Sequence, residues 1–171
     1  MGKWDEKAKG KKCTIISIIL LICAISIFLG VFFTIKQLEE NYVRYTTDQI
    51  TNQIINEMKY TDFVKVDENQ LAKHYDIPND VISECSVYMN KSSENASELA
   101  CFLLIDSSKY EKLKTIVTSH ISTKAAGYKN LNPSQYNELK NFLITQKGRY
   151  VLVAVGNNTS AENKIFQNMF E

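Results

Sequence analysis

The chain has 171 residues, 44% of them hydrophobic and 23% charged, with a formal net charge of +1. This length fits one domain with an appendage rather than two ordinary domains. The first twelve residues carry five Lys against Asp5 and Glu6, whereas the residues after Ile35 carry 15 basic and 17 acidic side chains. A nucleic-acid binder is therefore excluded as a leading interpretation, because such proteins present a large positive surface.

The segment from Cys13 to Ile35 contains no charged residue and predicts a transmembrane helix. Its apolar part, residues 14–35, would extend roughly 33 Å as a helix, which matches a hydrocarbon core of about 30 Å. A cleaved signal peptide is disfavoured because its apolar stretch typically spans only about 7–15 residues. A lipoprotein is disfavoured because Ile22, rather than Gly or Ala, precedes Cys23. We interpret residues 13–35 as an uncleaved transmembrane signal anchor.

The five Lys residues before this segment predict its orientation. Positive residues accumulate on the cytoplasmic side of a membrane span, so residues 1–12 form a cytoplasmic basic tail and the rest of the chain lies outside. We expect a juxtamembrane stalk over residues 36–46 and an extracytoplasmic domain over residues 47–171. The membrane is the partner that the sequence indicates, and a protein or cell-wall ligand is left unidentified.

Two helices are predicted at the start of the domain. Residues 47–59 carry an apolar stripe, and Thr46-Thr47-Asp48 has the residue types of a helix N-cap. A second, short helix is expected around Gln70–His74. Pro78 ends that element, because the residue before a proline disfavours the α conformation.

Two apolar segments then predict a β-hairpin. Val81 to Met89 alternates, which places Cys85, Val87 and Met89 on one face of a strand. Glu98 to Ile105 is almost continuously apolar, as expected of a central strand. The polar residues 90–96 between these segments form the connecting loop.

The same loop predicts the register of the hairpin. If the turn centres on Ser93, the middle of the loop, Cys85 faces Cys101 on the neighbouring strand. Opposed residues lie about 4.5–5.5 Å apart at Cα, which a disulfide can bridge, and a location outside the membrane permits oxidation. We therefore expect Cys85 and Cys101 to form a cross-strand pair, and we leave open whether they are oxidised.

A long helix follows the hairpin. Its start at Ser108–Glu111 fits a capping box, its stripe includes Leu113, Val117 and His120, and Gly127 marks its end. The remaining predicted elements are a short helix from Asn132-Pro133 to Lys140, a hairpin of residues 141–146 and 149–155, and a final helix capped at Thr159.

The resulting order of elements, α-β-β-α-α-β-β-α, predicts an α+β fold. We expect an antiparallel sheet of about four strands with helices packed on one face, preceded by the transmembrane helix.

No residue pattern predicts catalysis. The two histidines, His74 and His120, are 46 residues apart and no C-x-x-C occurs, so metal-ligand spacing is absent. His120 lies on an apolar helix stripe, where a packed histidine is the usual outcome, and His74 lies near a turn. Phosphate-binding and nucleophile motifs are also absent from the sequence. Acidic residues that recur at short spacing are expected to be solvated loop charges: Asp76, Asp80, Glu94 and Glu98. We expect no catalytic, cofactor-binding or metal-binding residues, and thus no enzyme.

Four segments resemble a bacterial family of membrane-tethered proteins, domain of unknown function 4358. They are His74–Asp80 with Cys85–Met89, Ala96–Cys101, Tyr128–Tyr136, and Gln146–Ala154, which resembles the family's K-G-N-Y-V strand. The resemblance covers roughly residues 47–170 and implies an extracytoplasmic location in Gram-positive anaerobes, without implying any site residue. The excess of Lys over Arg, 18 to 2, also suggests an AT-rich bacterial coding sequence.

The leading functional hypothesis is a single-pass, membrane-anchored module that binds or assembles components of the cell envelope. One alternative is a pilin-like assembly subunit, which is disfavoured because Gly10 is followed by Lys11-Lys12 and the apolar segment lacks a Glu. The other alternative is an envelope hydrolase in which His74 acts with a nearby carboxylate.

Overall fold

The structure, a computed structural model, describes residues 20–34 and 44–171. The chain divides into two compact units, residues 1–39 and 40–171. In the first unit, residues 20–34 form helix α1, whose side chains are exposed. Across the described residues, no helix has both the length and the apolar character needed to cross a membrane. The tail, the two ends of the predicted anchor and residues 36–43 of the predicted stalk lie outside the described residues.

The second unit is an α+β domain built on a five-stranded antiparallel sheet with strand order β1-β2-β3-β5-β4. Its helices are α2 (Thr47–Met58), α3 (Glu68–His74), α4 (Tyr110–Tyr128), α5 (Pro133–Lys140) and α6 (Thr159–Asn168), with a 3-10 turn at Ser107–Lys109. Its strands are β1 (Phe63–Lys65), β2 (Ile82–Asn90), β3 (Glu98–Leu104), β4 (Leu143–Lys147) and β5 (Tyr150–Val155).

Local sequence explains where most of these helices begin. Thr46 and Gln49 form a capping box at α2, because each side chain accepts a hydrogen bond from the other residue's backbone N–H. Asn132 caps α5, with Pro133 in its first turn. The predicted capping box at Ser108 is not used, since Asp106 accepts the backbone N–H of Ser108 and caps the preceding 3-10 turn instead.

The prediction of about four strands is one strand short. The additional strand, β1, has three residues and pairs with the outer edge of β2, where Phe63 faces Asn90. A three-residue strand is too short to show a period-two pattern, so the sequence carried no signal for it.

Helices cover both faces of the sheet, which corrects the prediction that they pack on one face. On the first face, α3, α4 and α5 pack against residues such as Ala100, Phe102 and Val153. On the second face, α2 and α6 pack against Leu99, Cys101 and Leu152. Every residue of β3 and β5 is buried because of this double cover. Each fully buried large apolar side chain contributes about 1.5–3 kcal/mol to the free energy of unfolding.

The predicted Cys85–Cys101 pairing is wrong by one residue. Cys85 pairs with Phe102, and Cys101 pairs with Ser86. The two cysteines lie on opposite faces of the sheet, and no disulfide joins them. The reason is the hydrogen bond from Asn90 N to Ser97 O, 3.1 Å, which centres the turn between Ser93 and Glu94 rather than on Ser93.

Candidate functional site

A buried carboxylate, Glu98, is the centre of a polar cluster on the first face of the sheet. Glu98 is the first residue of β3 and has no exposed surface. Its Oε1 accepts a hydrogen bond from the hydroxyl of buried Tyr75. Its Oε2 lies 3.2 Å from His120 Nε2 and 2.7 Å from Lys124 Nζ. All three partners thus converge on one side chain.

These contacts keep the Glu98 carboxylate ionised. Burial alone would raise its pKa, but the hydrogen bond from His120 and the charge of Lys124 outweigh burial and lower the pKa to about 2. An ionised carboxylate only accepts hydrogen bonds, so the Nε2 atom of His120 carries the proton in this contact. The pKa of Tyr75 is raised well above its usual value by burial and by the charge of Glu98.

Three elements position the cluster. His120 and Lys124 are four residues apart on α4, so both side chains project from one side of that helix. Tyr75 follows the last residue of α3. Glu98 is two residues before Ala100 on β3, which places its side chain on the same buried face of the sheet.

A groove of about 700 Å³ runs beside this cluster. We call it the His120 groove. Its lining includes both histidines of the chain, and the rings of His74 and His120 lie edge-on with centroids 6.3 Å apart. Tyr128 also lines the groove, and its hydroxyl donates a 2.6 Å hydrogen bond to the carbonyl of Ser93. A volume of this size falls in the range of small-molecule and peptide sites, about 300–1,000 Å³.

The cluster is better suited to holding the groove in shape than to proton transfer. The Glu98 carboxylate is fully buried and engaged by three donors, and a pKa of about 2 makes it a weak general base near neutral pH. Within residues 20–34 and 44–171, no group of three or more His, Cys, Asp or Glu side chains is arranged to hold a metal ion.

The acidic residues predicted as solvated charges divide into two groups. Asp76, Asp80 and Glu94 are exposed, and Asp80 forms ion pairs with Lys109 and Lys112. Glu98 is the exception, because it is a buried strand residue rather than a loop charge.

Tyr75 and Lys124 were not predicted as partners of Glu98. Two features of the sequence indicate part of this cluster. Lys124 comes four residues after His120, so both lie on one face of a helix. Glu98 comes two residues before Ala100, so both side chains lie on one face of a strand. The contact between the two histidines had no sequence signal, because it depends on how α3 packs against α4.

The fold and the groove define a small α+β domain whose sheet is covered on both faces and which carries a polar cluster at the first residue of an inner strand. The chain belongs to the family described as Domain of unknown function (DUF4358), whose family model matches residues 56–156, more than half of the chain. No curated protein and no solved structure matches the chain. The family segment contains the whole Glu98 cluster but not α6.

Proposed function

We propose that this chain is a membrane-anchored binding module of the bacterial cell envelope, with the His120 groove as its binding site. The uncharged segment of residues 13–35 and the five preceding Lys residues support the anchor and an external domain. The groove beside the buried Glu98 cluster is the single observation that carries the binding role.

Pre-organisation of the His120 groove favours binding. The residues that line the groove come from α3, α4 and the β2–β3 hairpin, and the Glu98 cluster ties these three elements together. A surface held in one conformation loses less conformational entropy when it binds a partner. The groove mixes apolar side chains such as Met89 and Ile116 with the cationic side chain of Lys73, a composition that is common in ligand sites.

Site-specific photo-crosslinking tests this role in intact cells. A photoreactive residue at position 119 replaces Ser119, which is exposed and lines the groove. The matched control replaces Ser122, an exposed serine on the same helix that does not line it. We expect a discrete crosslinked product from position 119 and none from position 122. Equal products from both positions, or none from position 119, would contradict a binding role for the groove.

A hydrolase that uses His74 is the alternative supported by one observation. His74 lines the groove, and its pKa is lowered, chiefly by burial, so its imidazole is neutral near pH 7 and able to accept a proton. Among the described residues, however, no hydrogen bond joins His74 to a carboxylate or hydroxyl that would orient it as a base. A His74→Ala variant that keeps the crosslink at position 119 and full cellular function would dismiss this alternative.

A further inference from the structure

A second cavity lies at the same end of the sheet as the β2–β3 loop, and none of its lining residues lines the His120 groove. It has a volume of about 270 Å³ and is bordered by the β2–β3 loop, the turn after α2 and the link between β5 and α6. Gly156 shapes this link, with a φ of +148° that residues bearing a side chain rarely adopt. A Cβ atom at Gly156 would come within 3.4 Å of Ser97 Oγ, so the two chain segments approach closely here.

A buried carboxylate in this cavity has an unused oxygen. Glu162 lines the cavity, and the residue is 2% exposed. Its Oε1 accepts a 2.8 Å hydrogen bond from the hydroxyl of Tyr60, whereas its Oε2 is buried and, among the described residues, has no hydrogen-bond partner. Burial raises the pKa of Glu162, and it also raises the pKa of Tyr60 to about 12. Such an orphaned acceptor costs free energy unless another group donates to it.

The other polar groups of the cavity are donors as well as acceptors. Asn90 and Asn95 line it, and their Oδ1 atoms already accept backbone N–H groups within the β2–β3 loop. Their side-chain NH₂ groups are therefore available to donate hydrogen bonds to a ligand. Asn157 and Asn158 add two further carboxamides from the β5–α6 link.

This mixture of hydrogen-bond donors and acceptors determines which kind of ligand the cavity can bind. An ammonium ion has only donors and would leave the asparagine NH₂ groups unmatched. Glu162 and Asp62 disfavour an anion, although Lys59 also lines the cavity. A hydroxyl group donates and accepts, so it can bond to Glu162 Oε2 and to an asparagine NH₂ group at once. Phe63, which stacks on Tyr60 with ring centroids 4.8 Å apart, adds an apolar surface to the lining. A sugar ring, with hydroxyls at its edge and C–H groups on its faces, has both features.

We propose that this cavity, which we call the Glu162 cavity, is a binding site for a single neutral sugar ring, with Glu162 Oε2 accepting a hydrogen bond from one of its hydroxyls. The proposal is independent of the His120 groove, because the two share no lining residue.

Saturation-transfer difference NMR on the full chain tests this site. The protein is kept in a detergent without a sugar headgroup, and the probes are N-acetylglucosamine, glucose and, as a donor-only control, ethylammonium chloride. We expect sugar signals that titrate with a dissociation constant on the order of 1–10 mM and no signal from ethylammonium.

Three variants connect binding to the cavity. Glu162→Gln keeps the size of the side chain and should weaken sugar binding about tenfold or more, because a charged acceptor is lost. Asn157→Ala alters an exposed residue of the lining and should weaken binding about threefold without affecting folding. Glu111→Gln, at an exposed position on α4, is the matched control and should bind like the natural protein.

Several results would overturn the proposal. They are binding of ethylammonium rather than sugar, sugar binding that both Glu162→Gln and Asn157→Ala leave unchanged, and no sugar binding by a protein that unfolds cooperatively. In the last case a buried water would be the partner of Glu162 Oε2. The crosslinking result at position 119 would be unaffected by any of these outcomes.

Discussion

Replacing Glu98 by Gln should destabilise the domain strongly, although the two side chains have nearly the same shape. The substitution removes the negative charge that Lys124 and His120 contact in the interior. Lys124 is only 19% exposed in its side chain and would lose its charge partner. Removing one partner of a buried ion pair generally lowers the free energy of unfolding by about 3–5 kcal/mol, because the remaining charge is left uncompensated.

The loss of unfolding free energy in Glu98→Gln also follows from the pKa of Glu98. It falls from 4.5 to about 2 on folding, and one pKa unit corresponds to about 1.4 kcal/mol. The surroundings therefore favour the ionised over the protonated carboxyl group by about 3 kcal/mol. This contribution is present above the unfolded pKa and is lost as the pH falls from 4.5 toward 2, because Glu98 then becomes protonated in the folded state as well.

Urea unfolding at pH 7 measures this effect. With a slope of about 2 kcal/mol per molar urea, a loss of 3 kcal/mol lowers the midpoint by roughly 1.5 M. The matched control is Glu94→Gln, four residues earlier in the exposed loop, which should change the free energy of unfolding by less than about 0.5 kcal/mol. The difference between Glu98→Gln and the natural protein should shrink as the pH is lowered through 4.5.

Unfolding of Glu98→Gln and Glu94→Gln at the same urea concentration at pH 7 would contradict a stabilising charge at Glu98. An equal loss of unfolding free energy for Glu98→Gln at pH 7 and at pH 3 would contradict it too, because a loss without pH dependence would come from packing rather than from charge.

Three further predictions concern the anchor, the register and the entry of the chain into the domain. Protease added to intact protoplasts should digest residues 36–171 and leave a small membrane fragment, whereas a protected domain would contradict the predicted orientation. Oxidation should crosslink Ser86→Cys to Cys101, its partner on β3, but should not crosslink Cys85 to Cys101 in the natural protein; thiol counting distinguishes the two registers. Tyr150→Phe should lower the free energy of unfolding by about 1–3 kcal/mol, because its hydroxyl contacts both backbone polar groups of Tyr45. Tyr88→Phe, which loses one exposed hydrogen bond to Asn52, is its control and should cost clearly less.

Features that depend on neighbouring residues were predictable from the sequence. The helices capped by Thr46 and Asn132 begin where predicted. Each capping side chain accepts a hydrogen bond from a backbone N–H only three residues later, so the cap depends on local sequence alone. The continuous apolar run of residues 98–105 predicts the inner strand β3, and the second predicted hairpin contains β5, whose residues are apolar as well. Continuous apolar runs also indicate that both faces of the sheet are buried, which disagrees with the expectation of helices on a single face.

Features that depend on a single distant contact were not predictable. The register of the β2–β3 hairpin changes by one residue according to whether Asn90 faces Ser97 or Ala96, and a loop of small polar residues does not determine this. The role of Glu98 depends on Lys124, 26 residues away, and on Tyr75. A carboxylate at the start of an apolar strand looks the same in sequence whether it is solvated or neutralised inside the protein.

The contact between Tyr150 and Tyr45 has a mechanical consequence. Tyr45 is the second described residue of the domain, and its backbone is held by the first residue of an inner strand. The ring of Phe170, next to the C-terminal residue, packs against both tyrosine rings. The two ends of the domain therefore meet at one corner. A pulling force applied through the N-terminal segment would be transmitted at Tyr45 directly into the sheet, and a protein fused after Glu171 would begin beside the same point.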